Sequence, residues 1–482
     1  MQAKLQDKSA VHEPARTLPV THNADVLVAG GGTAGVMAAI AAARNGSETL
    51  LVERNGFLGG AITAAMMAQI SAGAPAVTGI GRELVDRLNR MGGAEGDFLI
   101  PIDSEAFKLV AMEMLNEANA RLLSYTSVTG VVMEGQRTHG IIIENKSGRQ
   151  ALLGKVLIDC TGDGDVCNWA GAPTELGREN DHRMRPMTIM FKMANVDIDG
   201  MVRYARAHPE DFSPDPKYQV VQPENGLVRM VGYFSLVEKA KANGELFEDC
   251  HYIRVEGVIV DHGTALINAS RVYNVDGTKA EDLTRADLEG RRQAFQVAAF
   301  MRKYVPGFKR AYLAETASNV GVRETRHVLG EYVLAEEDIV TDRQFPDTVV
   351  RSFKRQQPGT PSHSPDAQEG ASTDISARSV IAPVIGFNIP YRCFVPRKID
   401  GLLVAGRCIS QTHLADAWTR LQSCVWSMGQ AAGTAAALAV RAGLMPRQLI
   451  RRISDLQATL RAQGMGLADS DFSWKRRPSD IV

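Results

Sequence analysis

The chain has few cysteines for its length, and their spacing excludes the usual cysteine-based sites. Its six cysteines, at positions 160, 167, 250, 393, 408 and 424, contain no Cys-x-x-Cys pair. Iron–sulfur ligation, structural zinc and dithiol redox centres normally use such pairs. The ten histidines contain no His-x-x-x-His or His-Glu-x-x-His spacing, so no metal site is expected. Scattered cysteines in a chain of 482 residues are typical of a reduced, cytoplasmic protein.

A strong charge of either sign is also missing. The 54 basic and 55 acidic residues give a formal net charge of −1, so neither nucleic acid nor a membrane surface is an expected partner. The first 24 residues are polar and lack the apolar core of a secretory signal. The longest apolar run, Cys424 to Val440, is interrupted by Ser427 and Gln430 and predicts a buried helix, not a membrane span.

What the sequence does have is a glycine-rich turn between a predicted strand and a predicted helix. The short apolar run Val26 to Ala29 is typical of a strand buried in a parallel sheet. Gly30, Gly32 and Gly35 follow it with the spacing G-x-G-x-x-G. In this motif the first glycine allows a tight turn, the second lets the backbone approach a pyrophosphate, and the third lets the helix pack on the sheet.

The residues that follow complete a dinucleotide-binding unit. The helix begins near Thr33, so the N–H groups of its first turn, including that of Ala34, point at the phosphates. Glu53 ends the next predicted strand, 18 residues after Gly35, where a carboxylate accepts both hydroxyls of a ribose. A glycine triplet alone is weak evidence, but strand, glycines, helix, strand and acid in this order are specific.

Periodicity and breaker residues outline the rest of the chain. Further helices are predicted from Thr78 to Met91, from Ser104 to Ala120 with Ser104 as N-cap, and from Arg285 to Tyr304. Further strands are predicted from Val128 to Met133, from Gly140 to Ile143 and from Lys155 to Ile158. The last strand enters a second glycine-rich turn, Asp159 to Asp165. Lys354 to Ser379 is rich in Pro, Ser, Gln and Gly and predicts a mobile surface loop.

A second glycine-ended strand far downstream indicates an interrupted domain. Leu402 to Gly406 nearly repeats Leu27 to Gly30, and Gly429 to Gly433 opens a predicted alanine-rich helix. We therefore expect an α/β protein: a Rossmann-like domain with a parallel sheet, interrupted by an α+β region. The predicted division is an N-terminal tail (1–21), first part of the nucleotide-binding domain (22–175), inserted substrate or cap region (176–390), second part (391–445), and C-terminal helix and tail (446–482).

With these motifs the chain resembles the bacterial FAD-dependent oxidoreductases that have a glutathione-reductase-like FAD-binding fold. The resemblance covers about residues 22–445. It is carried by 28–35, by 52–60 with its Leu-Gly-Gly, by the turn 159–165, and by 321–326, 389–392, 402–410 and 428–433. A Rossmann fold that uses NAD alone would not need the distant strand at 402–406, so FAD is the expected cofactor, bound without a covalent link.

The resemblance implies a role for each motif. The first glycines hold the pyrophosphate, Glu53 holds the adenosine ribose, and the helix expected to begin at Gly429 points its N-terminus at the flavin pyrimidine ring, where reduced flavin is negative. The residues that it assigns to FAD are Gly30, Gly32, Thr33, Ala34, Gly35, Glu53, Arg54, Gly59, Gly60, Val128, Thr161, Gly162, Asp163, Gly406, Arg407, Gly429, Gln430 and Ala431.

The catalytic candidates lie between and upstream of the two C-terminal motifs. His413 is the first choice for acid–base chemistry, because the usual histidine pKa of about 6.5 suits either role; a purely hydrogen-bonding role is its alternative. Arg420 binds a substrate oxygen or pairs with Asp416 at i,i+4. Arg323 clamps a carboxylate or belongs to an internal ion-pair network, and for its neighbour Arg326 the network is favoured.

The function expected from these motifs is oxidation of a small organic substrate by hydride transfer to flavin N5, as in a dehydrogenase or oxidase. One alternative is an FAD-dependent monooxygenase that uses NAD(P)H and O₂, although no separate nicotinamide motif is visible. Another is a non-catalytic or RNA-associated flavoprotein, which the near-neutral charge opposes. The expected partners are a small-molecule substrate and an electron acceptor that the sequence leaves unidentified; a homo-oligomer is left open.

Overall fold

The structure is a computed structural model that describes residues 4–5, 11–13, 15–71, 76–91, 99–214, 219–222, 227–259, 263–356, 358–359, 363–366 and 384–472. Most of the surface loop predicted at Lys354 to Ser379 lies outside the described residues.

The described residues form both helices and strands along most of the chain. The helices are α1 (Thr33–Arg44), α2 (Gly79–Arg90), α3 (Ser104–Glu117), α4 (Asp165–Trp169), α5 (Ile198–Ala207), α6 (Phe234–Ala242), α7 (Ala280–Tyr304), α8 (Glu336–Val340), α9 (His413–Thr419), α10 (Gln422–Ala442) and α11 (Ile453–Ala462). The strands are β1 (Lys4–Leu5), β2 (Val11–His12), β3 (Val20–Ala29), β4 (Thr49–Val52), β5 (Gln69–Ser71), β6 (Leu99–Pro101), β7 (Arg121–Leu123), β8 (Ser127–Glu134), β9 (Arg137–Asn145), β10 (Gly148–Asp159), β11 (Thr174–Leu176), β12 (Phe191–Ala194), β13 (Gln219–Gln222), β14 (Leu227–Gly232), β15 (Ile253–Ile259), β16 (Thr264–Asn268), β17 (Tyr312–Thr316), β18 (Arg326–Val328), β19 (Thr348–Arg355), β20 (Val384–Pro390) and β21 (Leu402–Val404).

A seven-stranded sheet joins the two ends of the sequence. Its order is β7-β4-β3-β10-β9-β8, with β21 paired to β10. Strands β7, β4, β3, β10 and β21 run parallel, whereas β9 and β8 continue the sheet antiparallel. Leu157 lies opposite Leu402, and Asp159 lies opposite Val404. The strand at Leu402 therefore lies in the same sheet as β3, as expected for the strand pairing, with one strand between them.

Helices α1 and α10 cross in direct backbone contact beneath this sheet. A Cβ atom at Gly429 would overlap the carbonyl oxygen of Ala34, and one at Gly433 would overlap that of Ala38. The prediction that this helix begins at Gly429 is wrong, because α10 begins at Gln422. The glycines lie inside the helix, where the absence of a side chain lets the two helices touch.

Two other helix starts also differ from the prediction. The N-cap of α3 is Asp103 instead of Ser104, and its carboxylate accepts from the backbone N–H groups of Glu105 and Ala106. Helix α7 begins at Ala280, five residues before the predicted Arg285. Apolar periodicity located each helix but not its first turn, which a side-chain cap fixes in α3, whereas Lys279 at the N-cap of α7 makes no capping hydrogen bond.

The inserted region contains a second sheet with its own core. Six antiparallel strands form the order β13-β14-β15-β16-β12-β17, and α5, α6 and α7 supply residues such as Met201, Val237 and Val297 to one cluster with Phe191 and Ile267. We call this unit the cap sheet. Helix α8 and the antiparallel pair β19–β20, by contrast, pack on the core of the nucleotide-binding domain.

Buried alanines and glycines make α10 a core element, as predicted for its apolar run. Within the described ranges, no helix combines the length and the apolarity that crossing a membrane requires.

We predict that Gly433→Ala destabilises the protein by about 1–3 kcal/mol, because its methyl group has to separate α1 from α10. Gly130→Ala is the control, since a Cβ there would meet Ile142 at an ordinary 3.5 Å. Urea unfolding monitored by circular dichroism measures both. Equal midpoints for the two variants would contradict this account of the helix contact.

Candidate active site

The first glycine turn leaves the N-terminus of α1 open to an anion. Gly30 donates its N–H to Val52 at 2.9 Å and adopts a φ of 98°, which favours glycine. A Cβ at Gly32 would meet nothing within 4 Å, so space is open in front of the helix. No side chain caps α1, and the first N–H groups of a helix have no partner within it. Thr33, Ala34 and Gly35 thus begin a helix whose N-terminus suits a phosphate.

Glu53 connects this turn to the next strand. Glu53 is only 7% exposed; its Oε2 accepts from Gly31 N at 2.7 Å, and its Oε1 accepts from both Asn55 N and Asn55 Nδ2 at 2.8 Å. Oε2 retains a further lone pair, so a ribose hydroxyl could still be bound there. The neighbouring Arg54 is exposed.

Gly59 and Gly60 pack against the phosphate-facing turn itself. Gly59 donates its N–H to Gly31 O at 2.9 Å, and a Cβ at Gly60 would lie 2.9 Å from Gly32 Cα. The two glycines therefore bring a second segment of backbone next to the start of α1.

The second glycine turn is held by Asp159. Its buried carboxylate accepts from Thr161 Oγ1 at 2.7 Å and from Cys167 N at 2.9 Å. Burial raises the pKa of Asp159, against the opposing effect of these hydrogen bonds. Asp163, further along the turn, pairs with Arg407. The turn is thereby tied to the loop after β21.

Arg407 extends this connection toward the cap sheet. It donates to the carbonyl oxygen of Gly162 at 2.8 Å and also to that of Val322. Gly406 is buried beside it. Val128 lies apart from these loops, half-buried near the start of β8.

The start of α10 carries buried polar atoms that no described residue satisfies. Gln422 Oε1, Ser423 Oγ and Trp426 Nε1 have no hydrogen-bond partner among the described residues, and no side chain caps the helix. Unsatisfied buried polar atoms call for a partner such as a ligand. The sequence analysis assigned no role to these three residues. Their position soon after Arg420, between the two C-terminal motifs, could have indicated that they lie near the cofactor.

Gly429, Gln430 and Ala431, which the resemblance assigns to FAD binding, lie further inside α10. Gln430 Oε1 accepts from Ile80 N at 2.9 Å, and Ala431 is fully buried. The contacts of this group in the structure are with α1 and α2.

A buried carboxylate, Glu324, joins the candidate acid–base residue to the inserted region. Its Oε1 lies 2.7 Å from His413 Nδ1 and 3.0 Å from His327 Nε2. Its Oε2 lies 3.6 Å from Arg185 Nε, which lies 3.1 Å from Asp416 Oδ2. We call these five residues the Glu324 cluster. All of them are almost fully buried.

The structure brings Arg420 and Arg323 close to this cluster by different contacts. Arg420 Nε lies 3.9 Å from Asp416 Oδ2, which is too long for a hydrogen bond, so the predicted i,i+4 pair is a loose one. Arg323 is buried and donates to the carbonyl oxygen of Pro186. Arg326 instead pairs with Asp165 at 2.9 Å, as its network interpretation predicted.

Comparison of the sequence with known families identifies the cofactor class. A family model described as "FAD dependent oxidoreductase" matches residues 25–460. The chain belongs to this family. The open N-terminus of α1 and the unsatisfied atoms of Gln422 and Ser423 fit its cofactor, FAD, which Gly30–Gly35, Glu53 and the second turn would hold. Comparison with curated proteins gives no significant match.

Several solved structures are similar to this chain at low sequence identity and with TM-scores below 0.5. A geranylgeranyl bacteriochlorophyll reductase-like protein from Thermoplasma acidophilum is 13% identical, with a TM-score of 0.44 over 92% of this chain and 84% of that chain. The flavin-dependent brominase Bmp2 is 12% identical, with a TM-score of 0.47 over 91% and 85%. The p-nitrophenol 4-monooxygenase PnpA from Pseudomonas putida DLL-E4 is 11% identical, with a TM-score of 0.42 over 88% and 80%.

The surroundings of Glu324 and His327 shift the pKa values of both groups. Burial would raise the pKa of Glu324, but hydrogen bonds from His327 and His413 and the charge of Arg185 hold it well below its usual range. Burial lowers the pKa of His327, but its hydrogen bond to Glu324 and the charge of that carboxylate outweigh burial and raise it. The buried carboxylate of Glu324 is therefore held in its ionised form.

We predict that Ser423→Ala weakens FAD binding about 3- to 10-fold, since one hydrogen bond contributes about 0.5–1.5 kcal/mol. Ser427→Ala is the matched control on the same helix, because Ser427 Oγ already donates to Ser423 O at 3.2 Å. Quenching of flavin fluorescence gives both dissociation constants. If the two substitutions have the same effect, the hydroxyl of Ser423 does not contact FAD.

We predict that His327 stabilises the protein mainly at low pH. A raised pKa means that the protonated ring contributes fully below the usual value of about 6.5 and loses its contribution as the pH rises through the folded-state value. The free-energy advantage of the wild type over His327→Gln should therefore shrink as the pH rises above about 6.5. Urea unfolding with excess FAD measures it, with His182→Gln, at an exposed site, as control; a pH-independent advantage would contradict the prediction.

Proposed function

We propose that the protein is a dehydrogenase or oxidase that takes a hydride from a small organic substrate, with His413 as the base. The observation that carries this proposal is the pairing of His413 with Glu324 within 2.7 Å in a buried setting.

The pairing fixes which nitrogen of His413 can act. An ionised carboxylate only accepts hydrogen bonds, so His413 Nδ1 carries the proton and Nε2 has the free lone pair. Nε2 is buried and has no hydrogen-bond partner among the described residues. A nitrogen in this state can take a proton from a substrate hydroxyl, and Glu324 then stabilises the imidazolium.

Arg185 supports such a reaction because it fixes the position of His413. Arg185 donates to the carbonyl oxygen of His413 at 2.6 Å and to Asp416 at 3.1 Å, which holds the start of α9 in place. When bound, FAD supplies N5 as the acceptor of the hydride. The substrate would lose that hydride from carbon and a proton from oxygen to His413 Nε2, and would leave as the carbonyl compound.

Location and partners are proposed on similar grounds. The six cysteines are all buried and unpaired, which supports a reducing compartment such as the cytoplasm. A separate electron acceptor or O₂ would have to reoxidise the flavin.

We predict that His413→Gln leaves FAD bound but slows flavin reduction by about 100- to 10,000-fold, the usual contribution of a general base. The substrate is the first compound, from a panel of small alcohols and hydroxy acids, that bleaches the flavin without oxygen. Anaerobic stopped-flow absorbance near the flavin band gives the rate.

His327→Gln is the matched control, because both histidines contact the same oxygen of Glu324 and both have a ring nitrogen without a partner among the described residues. It should slow reduction far less. If the two variants slow flavin reduction equally, His413 has only a structural role. Bleaching by NADPH, and not by any member of the panel alone, would instead support the monooxygenase.

A further inference from the structure

Four arginines converge between the cap sheet and the FAD-binding domain. Arg254 lies on β15 and Arg271 shortly after β16, whereas Arg323 lies between β17 and β18, and Arg420 between α9 and α10. We call them the arginine cluster. The sequence separates them by up to 166 positions, so only folding brings them together.

Short contacts hold three of the four arginines in place. Arg254 and Arg271 both donate to the hydroxyl of Tyr252, the former at 3.3 Å. Arg420 Nη2 lies 3.2 Å from His363 Nδ1. Because a guanidinium can only donate, that histidine nitrogen is the acceptor and the contact favours a neutral ring.

The two arginines on the FAD side lack a close carboxylate. Arg323 has no ion-pair partner within 4.0 Å among the described residues; its guanidinium donates to the carbonyl oxygen of Pro186. Arg420 Nε makes no hydrogen bond to any described residue. The nearest carboxylate to Arg420, that of Asp416, lies 3.9 Å away and is engaged more closely by Arg185 at 3.1 Å.

The charges act on one another in the expected direction. Burial lowers the pKa of Arg323 well below its usual range, and the charges of Arg420, Arg271 and Arg254 lower it further. Burial likewise lowers the pKa of Arg420 to about 10, although Asp416 opposes this shift. The protein thus holds several like charges together in a region of low solvent access.

The arginine cluster borders the FAD site. Arg323 follows a segment in which Asn319 donates to Ala64 O at 2.9 Å, in the turn just after Gly60. Arg420 is two residues before the start of α10, where Gln422 has its unsatisfied oxygen. His413 and Arg420 are seven residues apart, which on a helix means the same face and a separation of roughly 10 Å.

We propose, building on the function proposed above, that Arg323 and Arg420 bind an anionic group of the substrate, a carboxylate or a phosphate, with Arg254 and Arg271 closing over it from the cap sheet. Guanidinium groups suit both oxyanions, because their planar N–H groups bind two oxygens at once. The substrate then spans from this anion site to His413, so its reacting carbon is held at one end and its charge at the other.

The test is a binding measurement that requires no turnover. FAD-loaded protein is titrated by calorimetry with malonate, with inorganic phosphate and with malonamide, the neutral analogue of malonate. Malonate or phosphate should bind at least tenfold more tightly than malonamide, and the tighter of the two anions identifies the oxyanion. Equal binding of malonate and malonamide, or no binding of either anion, would overturn the proposal.

Variants locate the anion. Arg323→Met and Arg420→Met should each weaken anion binding at least tenfold, whereas Arg323→Lys should retain part of it. Arg292→Met, at an exposed position of α7, is the control and should bind as the wild type does. Wild-type affinity in both cluster variants would overturn the assignment. If the variants lose their flavin, the malonamide comparison on the wild type still decides the question.

Thermal melting distinguishes a ligand site from an internal network. If the arginine cluster is an anion-binding site, the ligand-free Arg323→Met protein should melt at or above the melting temperature of the wild type, because the substitution removes one of the mutually repelling positive charges. Malonate should then raise the melting temperature of the wild type but not of the variant. A large drop in melting temperature together with unchanged anion binding would make the cluster purely structural. The two proposals can fail separately. The proposed function fails if His413→Gln reduces its flavin as fast as His327→Gln does, whereas the anion site fails if the arginine variants bind malonate as the wild type does.

Discussion

The parallel register of β10 with its two neighbours is the constraint on which the rest of the molecule depends. β10 pairs with β3 on one side and, at its C-terminal end, with β21 on the other. Because the carboxyl ends of parallel strands meet at one edge, the turns that follow these strands emerge side by side. The open start of α1, the Asp159 turn and the Arg407 loop are neighbours for this reason, although about 375 residues separate the first from the last.

Glu324 likewise brings distant chain segments together, here between the inserted region and the nucleotide-binding domain. It receives His413 from α9, His327 from β18 and Arg185 from the segment before β12. A buried carboxylate is strongly unfavourable unless each oxygen is matched by donors. Its environment therefore fixes the relative position of three chain segments, and with them the ring of His413. Positioning and charge compensation are one and the same interaction here.

The glycine turn was predicted from the sequence and the Glu324 cluster was not, because only the former is built from residues close together in the chain. The glycine turn and Glu53 are specified by residues adjacent in the chain, so their spacing predicted fold and cofactor. The start of α10 was misplaced because Leu421 at its N-cap offers no capping side chain. Glu324 was not identified from the sequence, since its partners His413 and Arg185 lie 89 and 139 positions away. Tertiary pairing of this kind leaves no periodic or local signal.

An arginine cluster between two structural units has a thermodynamic consequence beyond recognition. Like charges held in a region of low dielectric repel one another and oppose close approach of the cap sheet to the FAD-binding domain. An anion that binds between them offsets that repulsion, so its binding would stabilise the packing of the cap sheet on the FAD-binding domain. A neutral molecule of the same shape leaves the repulsion between the positive charges of the cluster in place. Selection of an anionic ligand and exclusion of water from the flavin would then arise from the same contact, and neither would require a separate lid.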